Sequence, residues 1–379
     1  MATDILGILL QACSDSTVNF TDAIIHEGYP IVVQSPMGNH PLPGNLVTQI
    51  TCADILQLAS QVCDTHAMLR GSTTATNPHE LLEKGAIKLA LDFENPDLEE
   101  STTRLRFTIV RTRGGRSLAA IVRHIPQAIP RLATLGLPAP AVSLTKGAGL
   151  VLITGPTKQG KSTTAASMLQ EIRDTRPGHI VTIEDPIEYS LFSAADNSCP
   201  VTTREVGADV SSYLEGAEDA LRMNPTTIMI GEIRDAQTAR AALNLGESGH
   251  LVLSTMQSTT AEGAIYKLWA LMAGYPGAQL SISTCLRGVI RTCLAPNKER
   301  TRYVPAYEFI LNKGDFAKAI SCVDTSKETQ SIRKLLEDGQ RRGYSQSLRQ
   351  ALQTLEKEGK ITPQTAKAYS NDAGYDDMI

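Results

Sequence analysis

The sequence predicts an α/β protein whose core is a parallel sheet carrying a phosphate-binding loop, with a smaller mixed domain before it and helices after it. Three observations predict this. Short apolar runs at 150–154, 179–184, 227–232 and 250–255 alternate with helical segments, the pattern of strands joined by crossover helices. The stretch Gly155-Pro-Thr-Lys-Gln-Gly160-Lys161-Ser162 lies between the first run and a helical segment, the context a phosphate loop requires. The chain has 379 residues, 42% hydrophobic and 20% charged, which is globular and long for one core.

In chain order, residues 1–125 are expected to form the first domain. Tyr29-Pro-Ile-Val-Val33 reads as a strand, entered from a turn that begins near Phe20. Cys52–Leu69 has the helical spacing of Ile55, Leu56, Leu58, Ala59 and Val62. Asp92, Glu94, Asp97, Glu99 and Glu100 form an acidic run. The next 23 residues hold six arginines and no acid: Arg104, Arg106, Arg111, Arg113, Arg116 and Arg123. Alternation from Arg104 to Arg111 predicts a half-exposed strand with arginines on one face. Residues 126–147, with Leu137-Pro-Ala-Pro140, read as a linker. The α/β domain is expected over 148–305. Residues 306–379 read as polar and mostly helical, at 332–338 and 345–359, ending in an uncapped tail.

Composition excludes several classes. A net charge of −4 gives no general attraction for nucleic acid. No apolar run approaches the roughly 18 residues of a membrane span. The first basic residue is Arg70, so no signal peptide is expected. Seven cysteines include no C-x-x-C pair, which predicts free thiols in a reducing compartment.

The chemistry gathers at strand ends, where parallel sheets bind ligands. Gly155 and Gly160 let the backbone wrap a phosphate, so that N–H groups and a helix N-terminus face one anion. Lys161 is expected to reach the β and γ phosphates of ATP and Ser162 to hold Mg²⁺, with Thr157 and Thr163 completing the contacts. The second strand ends in Glu184-Asp185-Pro186, and the third in Gly231-Glu232. Glycine stands where an ordinary Walker B strand has aspartate, so Glu232 becomes the expected activator of the attacking water. Glu184 and Asp185 are expected to serve the magnesium's outer shell. A lone acid is more often a salt bridge or cap, but three at neighbouring strand ends favour function. His250 starts the fourth strand, where a structural role and γ-phosphate sensing stand level; Gln257 follows the same strand's end and reads as a partner for a phosphate or water, or as a loop cap. The arginine strand has three readings: a solvated face, a polyanion grip, or arginines offered to a nucleotide on a neighbouring subunit. The phosphate loop in the same chain favours the last, because arginine's fixed fork suits a transferring phosphate.

Several of these motifs, in order, resemble one family, the hexameric motor ATPases of type IV pili and of type II and type IV secretion. They are Phe20-Thr-Asp-Ala, Arg104-Leu-Arg106, Val122-Arg123-His-Ile-Pro126, Leu135-Gly-Leu-Pro138, the phosphate loop, Thr182-Ile-Glu-Asp-Pro-Ile-Glu188, Arg204-Glu-Val-Gly207, Ala220-Leu-Arg-Met-Asn-Pro225, Gly231-Glu-Ile-Arg-Asp235 and Gly249-His-Leu-Val252. The PilT-type branch is most similar, with plasmid-conjugation and DotB-like secretion ATPases nearby. The resemblance implies a PAS-like α+β N-terminal domain on a RecA-like P-loop ATPase core. It implies a homohexamer using ATP and Mg²⁺, with Arg104, Arg106 and Arg123 completing the site. It maps Glu232 to the catalytic glutamate, Glu184 to the aspartate-box acid and His250 to the first histidine-box position. It also implies a cytoplasmic protein, peripheral at the inner membrane through a platform partner, with no direct nucleic-acid contact.

Departures from the pattern set the expected system. Lys158-Gln159 replaces the family's Gly-Ser, Gln257 replaces a histidine, Arg111–Arg116 adds arginines, and no tetracysteine element is present. They favour a secretion or conjugation motor, with pilus retraction as the alternative. A RecA-like nucleic-acid translocase, a non-hydrolysing assembly factor and a small-molecule kinase rank below these.

Overall fold

The computed structural model describes residues 3–15, 18, 20–35, 38–43, 49–69, 77–94, 102–125, 128–189, 191, 198–321, 329–338 and 343–370. Arg70, Asp97, Glu99, Glu100, Pro126 and the tail from 371, all named above, lie outside them, as does the seventh cysteine, Cys322. The chain divides into two compact units, Met1–Ala128 and Ile129–Ile379. No helix among the described residues is long and apolar enough to cross a membrane.

The first unit contains α1 (Ile5–Ser14), β1 (Asp22–His26), β2 (Val32–Ser35), β3 (Gly38–Pro41), α2 (Cys52–Leu69), α3 (Pro78–Lys84), β4 (Ile87–Glu94), β5 (Thr102–Thr112) and β6 (Ser117–Ile125). The strands form one antiparallel sheet in the order β3-β2-β1-β6-β5-β4. Ile55, Leu58, Ala59 and Val62 of α2 are buried against Ala23, Ile25, Leu105, Phe107 and Ile109 of the sheet. Fully burying an aliphatic or aromatic side chain of this kind contributes roughly 1.5–3 kcal/mol. The N-terminus of α2 is closed by Asp54, whose carboxylate accepts from the Thr51 N–H at 2.7 Å and the Thr3 N–H at 2.5 Å. That tie also holds the start of α1. The region after Phe20 is strand β1 rather than a turn.

The second unit contains α4 (Ala139–Val142), β7 (Gly149–Thr154), α5 (Lys161–Thr175), β8 (Ile180–Glu184), β9 (Val201–Glu205), α6 (Tyr213–Ala220), β10 (Thr227–Glu232), α7 (Ala236–Glu247), β11 (Leu251–Met256), α8 (Ala261–Met272), α9 (Ala278–Cys285), β12 (Leu286–Pro296), β13 (Tyr303–Leu311), α10 (Asp315–Ser321), α11 (Thr329–Asp338), β14 (Ser345–Gln346), α12 (Leu348–Lys357) and α13 (Pro363–Ser370). One sheet runs β14-β13-β12-β7-β11-β10-β8-β9. From β12 to β9 the pairings are parallel, and β13 and β14 are antiparallel. β7 and β11 are buried at every position, as befits strands covered on both faces.

Two expectations need correction. Residues 129–147 are not a linker: Leu132, Leu137, Ala141 and Leu144 are buried against Val151, Ile153 and Leu169, because short helical turns fold this stretch onto the sheet. Beyond 305 the chain is mostly helical, as read, but Ser345–Gln346, read as the start of a helix, is the edge strand β14, which with β13 extends the sheet. A buried ion pair anchors this addition. Arg291 on β12 stands 3.8 Å from Glu308 on β13. Glu308 also accepts from the N–H of Ala261 at 2.7 Å and of Leu348 at 3.2 Å, the first residues of α8 and α12. One carboxylate thus joins two helix N-termini to the strand behind the phosphate loop. Cys63, Cys199, Cys285 and Cys293 are buried and Cys13 and Cys52 half-buried, and none of the six is in a disulfide. Burial pushes Cys285 up to about 11.

Candidate active site

Parallel pairing brings the C-terminal ends of β7, β11, β10 and β8 to one edge, in that order. β7 feeds Gly155, β11 feeds Gln257, β10 ends at Glu232 and β8 ends at Glu184, with Asp185 next. The sheet thereby gathers residues up to about a hundred positions apart in sequence.

The loop is shaped by three left-handed residues. Gly155 has φ 147°, and a Cβ there would stand 2.7 Å from the Thr292 carbonyl oxygen of β12, so only glycine fits. Gly160, at φ 84° and ψ 18°, opens α5 with no side chain capping it. The first-turn N–H groups of α5 therefore remain available to an anion. Lys158 has φ 64° and is exposed, a conformation costing an L-residue roughly 1–2 kcal/mol. Gln159 offsets some of this strain: its Oε1 accepts from the Leu294 N–H of β12 at 2.7 Å. Lys161 Nζ donates to the carbonyls of Gly155 at 2.9 Å and Pro156 at 2.7 Å, which folds the loop around the ammonium. Ser162 follows on the first turn. Thr163 Oγ1 lies 2.7 Å from the Tyr189 hydroxyl, so the structure turns this side chain toward Tyr189. Thr157 is exposed at the loop tip.

Glu232 stands beside a bulge. The β10–β11 register shifts between Ile230 and Glu232, with Glu232 opposite Thr255. Such an extra residue re-aims the side chain after it. Gly231 occupies the bulge because a Cβ there would lie 3.1 Å from both the Ile183 carbonyl oxygen and the Tyr213 hydroxyl. Tyr213 thus fills the space of the missing Walker B aspartate. Gly231→Asp is expected to destabilise the protein by about 1–3 kcal/mol rather than improve the site; a shift of the urea midpoint checks this. Burial, reinforced by the neighbouring Asp185, pushes the Tyr213 hydroxyl far up, so it stays protonated.

Glu232 Oε2 accepts from Arg234 Nε at 2.7 Å and Nη2 at 2.6 Å. Burial works against the Arg234 charge, but the bond to Glu232 outweighs it and raises its pKa. The glutamate side chain is only 13% exposed, against 57% for the arginine. Glu184 Oε1 accepts from the Thr182 hydroxyl at 2.8 Å, and Asp185 is exposed. Among the described residues no cluster of His, Cys, Asp or Glu is tight enough to hold a metal ion alone. A loop that curls its carbonyls around Lys161, beside an uncapped helix start, fits a phosphate chain. Ser162 on that turn fits a magnesium arriving with it, with Glu184 and Asp185 in the outer shell.

His250 is not at this edge. Leu251 pairs with Gly149 and Met256 with Thr154, so His250 precedes the six-residue strand at its opposite end. At about 3.3 Å per residue it lies roughly 20 Å from Gly155. Its Nδ1 lies 3.0 Å from the Leu245 carbonyl oxygen, which makes it a structural ring at the end of α7. The γ-phosphate-sensing expectation is corrected accordingly, because a strand's first and last residues cannot share one edge of a parallel sheet. Gln257 takes that place, exposed between the phosphate loop and Glu232.

In the first unit, Arg104 and Arg106 alternate with buried Leu105 and Phe107, as expected. Arg106 pairs across the ladder with Arg123, which gathers all three arginines on one face. Arg104 bonds Asp92 at 2.5 Å, and Arg123 bonds buried Asp22 at 3.1 Å. Arg111, an odd number of residues away, falls on the opposite face from Arg104 and Arg106.

Residues 127–372 match the family model described as type II/IV secretion system protein. The match covers more than half of the chain. The chain belongs to the type II/IV secretion system protein family. Within reach of this family, a twitching motility protein of Neisseria gonorrhoeae is 30% identical over 302 residues, 78% of this chain and 76% of the relative. A solved structure of the pilus retraction motor PilT with bound ADP superposes with a TM-score of 0.74 and 30% identity over 97% of both chains. The structure of the ATPase DotB of Legionella pneumophila gives a TM-score of 0.76 at 24% identity, over 96% of this chain and 95% of that one. The last likeness bears on the mixed α/β fold alone.

Proposed function

We propose that this member of the type II/IV secretion system protein family is a ring-forming ATPase that turns ATP hydrolysis into mechanical work on a type IV secretion or conjugation apparatus. One observation carries the reading: the open N-terminus of α5 with Lys161, and Glu232 re-aimed by the Gly231 bulge, share one edge of one sheet. Lys161 and the α5 N–H groups bind the phosphates, and Glu232 accepts the proton of the attacking water. Magnesium held at Ser162, with Glu184 and Asp185 outside it, would neutralise phosphate charge. Arg234 holds the Glu232 carboxylate in place through two bonds to Oε2. In this reading the second unit is the RecA-like core and the first the PAS-like domain of a cytoplasmic hexamer, docked on an inner-membrane platform.

Pilus retraction is the second reading, and the 30% identity to a twitching motility protein and to PilT favours it. The departures at Lys158, Gln159 and Gln257 favour the first. Recovery of a secretion-system or a pilus-system platform protein with the tagged chain separates them.

Arg104, Arg106 and Arg123 are proposed to supply positive charge to the nucleotide of a neighbouring copy. Mixing an Arg106→Ala protein with a Lys161→Ala protein checks this. Partial recovery of ATP turnover is expected, since a mixed ring contains some intact sites; two inactive proteins that never rescue each other contradict a shared site.

A further inference from the structure

The β5–β6 hairpin carries a charge concentration that the ATPase reading does not use. Its tip is Arg111-Thr112-Arg113-Gly114-Gly115-Arg116. All three arginines are exposed, and none has an ion pair among the described residues. Two arginines further down the same strands do find acids, Arg104 with Asp92 and Arg123 with Asp22. Among the described residues the tip thus carries arginines without a paired acid, unlike Arg104 and Arg123 lower on the same strands.

The backbone adds donors. Arg113, Gly114 and Gly115 are all left-handed, with φ 50°, 67° and 86°, and Arg116 returns to φ −89°, ψ −10°. A left-handed residue followed by a right-handed one turns successive N–H groups to one side, the backbone pattern of an anion nest. Arg113 takes this conformation although it is not glycine, which L side chains do sparingly. A Cβ on Gly115 would lie 2.6 Å from an Arg111 guanidinium nitrogen, so that guanidinium is gathered over the turn rather than splayed away. Tyr29, 57% exposed, follows β1 at the same end of the sheet, since His26 pairs with Ala119 near the start of β6.

We propose that this hairpin tip docks on the phosphate groups of an anionic phospholipid surface. Arginine forks and a backbone nest are phosphate-binding chemistry. The exposed turn offers donors for phosphate, and a lipid surface presents many phosphates and demands little shape. An exposed amphipathic ring at the same end of the sheet as the arginines suits the headgroup layer. A nucleic-acid strand is the poorer fit, because 108–118 holds no aromatic residue on which bases could stack. Each basic residue at such a surface strengthens binding by about fivefold, so three give about a hundred-fold for one copy. The proposed ring would multiply that through repeated contacts; the single-copy contact does not depend on the ring.

The test is sedimentation of the full chain with vesicles of phosphatidylcholine mixed with phosphatidylglycerol, against phosphatidylcholine alone. Binding only to the anionic vesicles is expected, weakening as salt is raised. The triple variant Arg111→Gln, Arg113→Gln, Arg116→Gln is expected to lose about a hundred-fold in partitioning while keeping the wild-type unfolding midpoint and basal turnover. Arg113→Gly, which relaxes the left-handed residue and removes one charge, is expected to lose about fivefold. Equal binding to neutral vesicles, or unchanged binding of both variants, overturns the proposal. So does a single-stranded oligonucleotide whose binding depends on these arginines when vesicles do not bind.

Discussion

Lys161→Ala is expected to weaken ATP binding by roughly thirty-fold to several thousand-fold, the range for removing one partner of a desolvated charge pair. The structure explains why the loss is large. The ammonium is the cation about which the loop curls, bonded to the Gly155 and Pro156 carbonyls. Alanine removes both the charge for the phosphates and the two bonds that shape the loop. Titration of a fluorescent ATP analogue checks it. A variant that binds ATP as the wild type does would remove the phosphate loop from the account. Folding is a minor concern, since Lys161 lies at the surface-facing start of α5 and the core face of that helix is Ala165, Met168, Leu169 and Ile172.

Glu232→Gln is expected to lower turnover by about 10²–10⁴-fold while leaving ATP affinity within a few-fold. Glutamine keeps the size of the side chain and an oxygen to accept from Arg234, so geometry survives while basicity is lost. The two variants therefore separate two steps. One fails to hold substrate, and the other holds it without hydrolysis. Wild-type turnover in Glu232→Gln would pass the role to Glu184, the next carboxylate along the edge.

What the sequence made legible was local. The phosphate loop, the strands before and after it, the acids at the ends of β8 and β10, and the α2 helix are all set by contiguous residues. The failures have long-range causes. β12 is not legible because Gly288 and Arg291 interrupt its apolar pattern, and the buried Arg291 pairs with Glu308 on the next strand. Gln159 looked like a simple departure, yet its partner, Leu294, is 135 residues away. Gly231 looked like a missing ligand until Tyr213 was seen to occupy its side-chain space. His250 was misassigned although parallel-strand polarity alone places it at the far edge. Gln257 belonged in its place, and its position after the strand carried that signal. Arg111 likewise fell on the wrong face of β5 by simple parity.

The account's central claim is that this edge of the sheet hydrolyses ATP and does not merely bind it. Steady-state phosphate release by the purified, assembled wild-type protein tests that most directly, measured with ATP in the presence and absence of Mg²⁺. Many turnovers per subunit are expected with Mg²⁺, and a fall to background when the metal is withheld. Stoichiometric nucleotide binding with no turnover beyond one round would contradict it and identify the chain as a nucleotide-gated assembly factor.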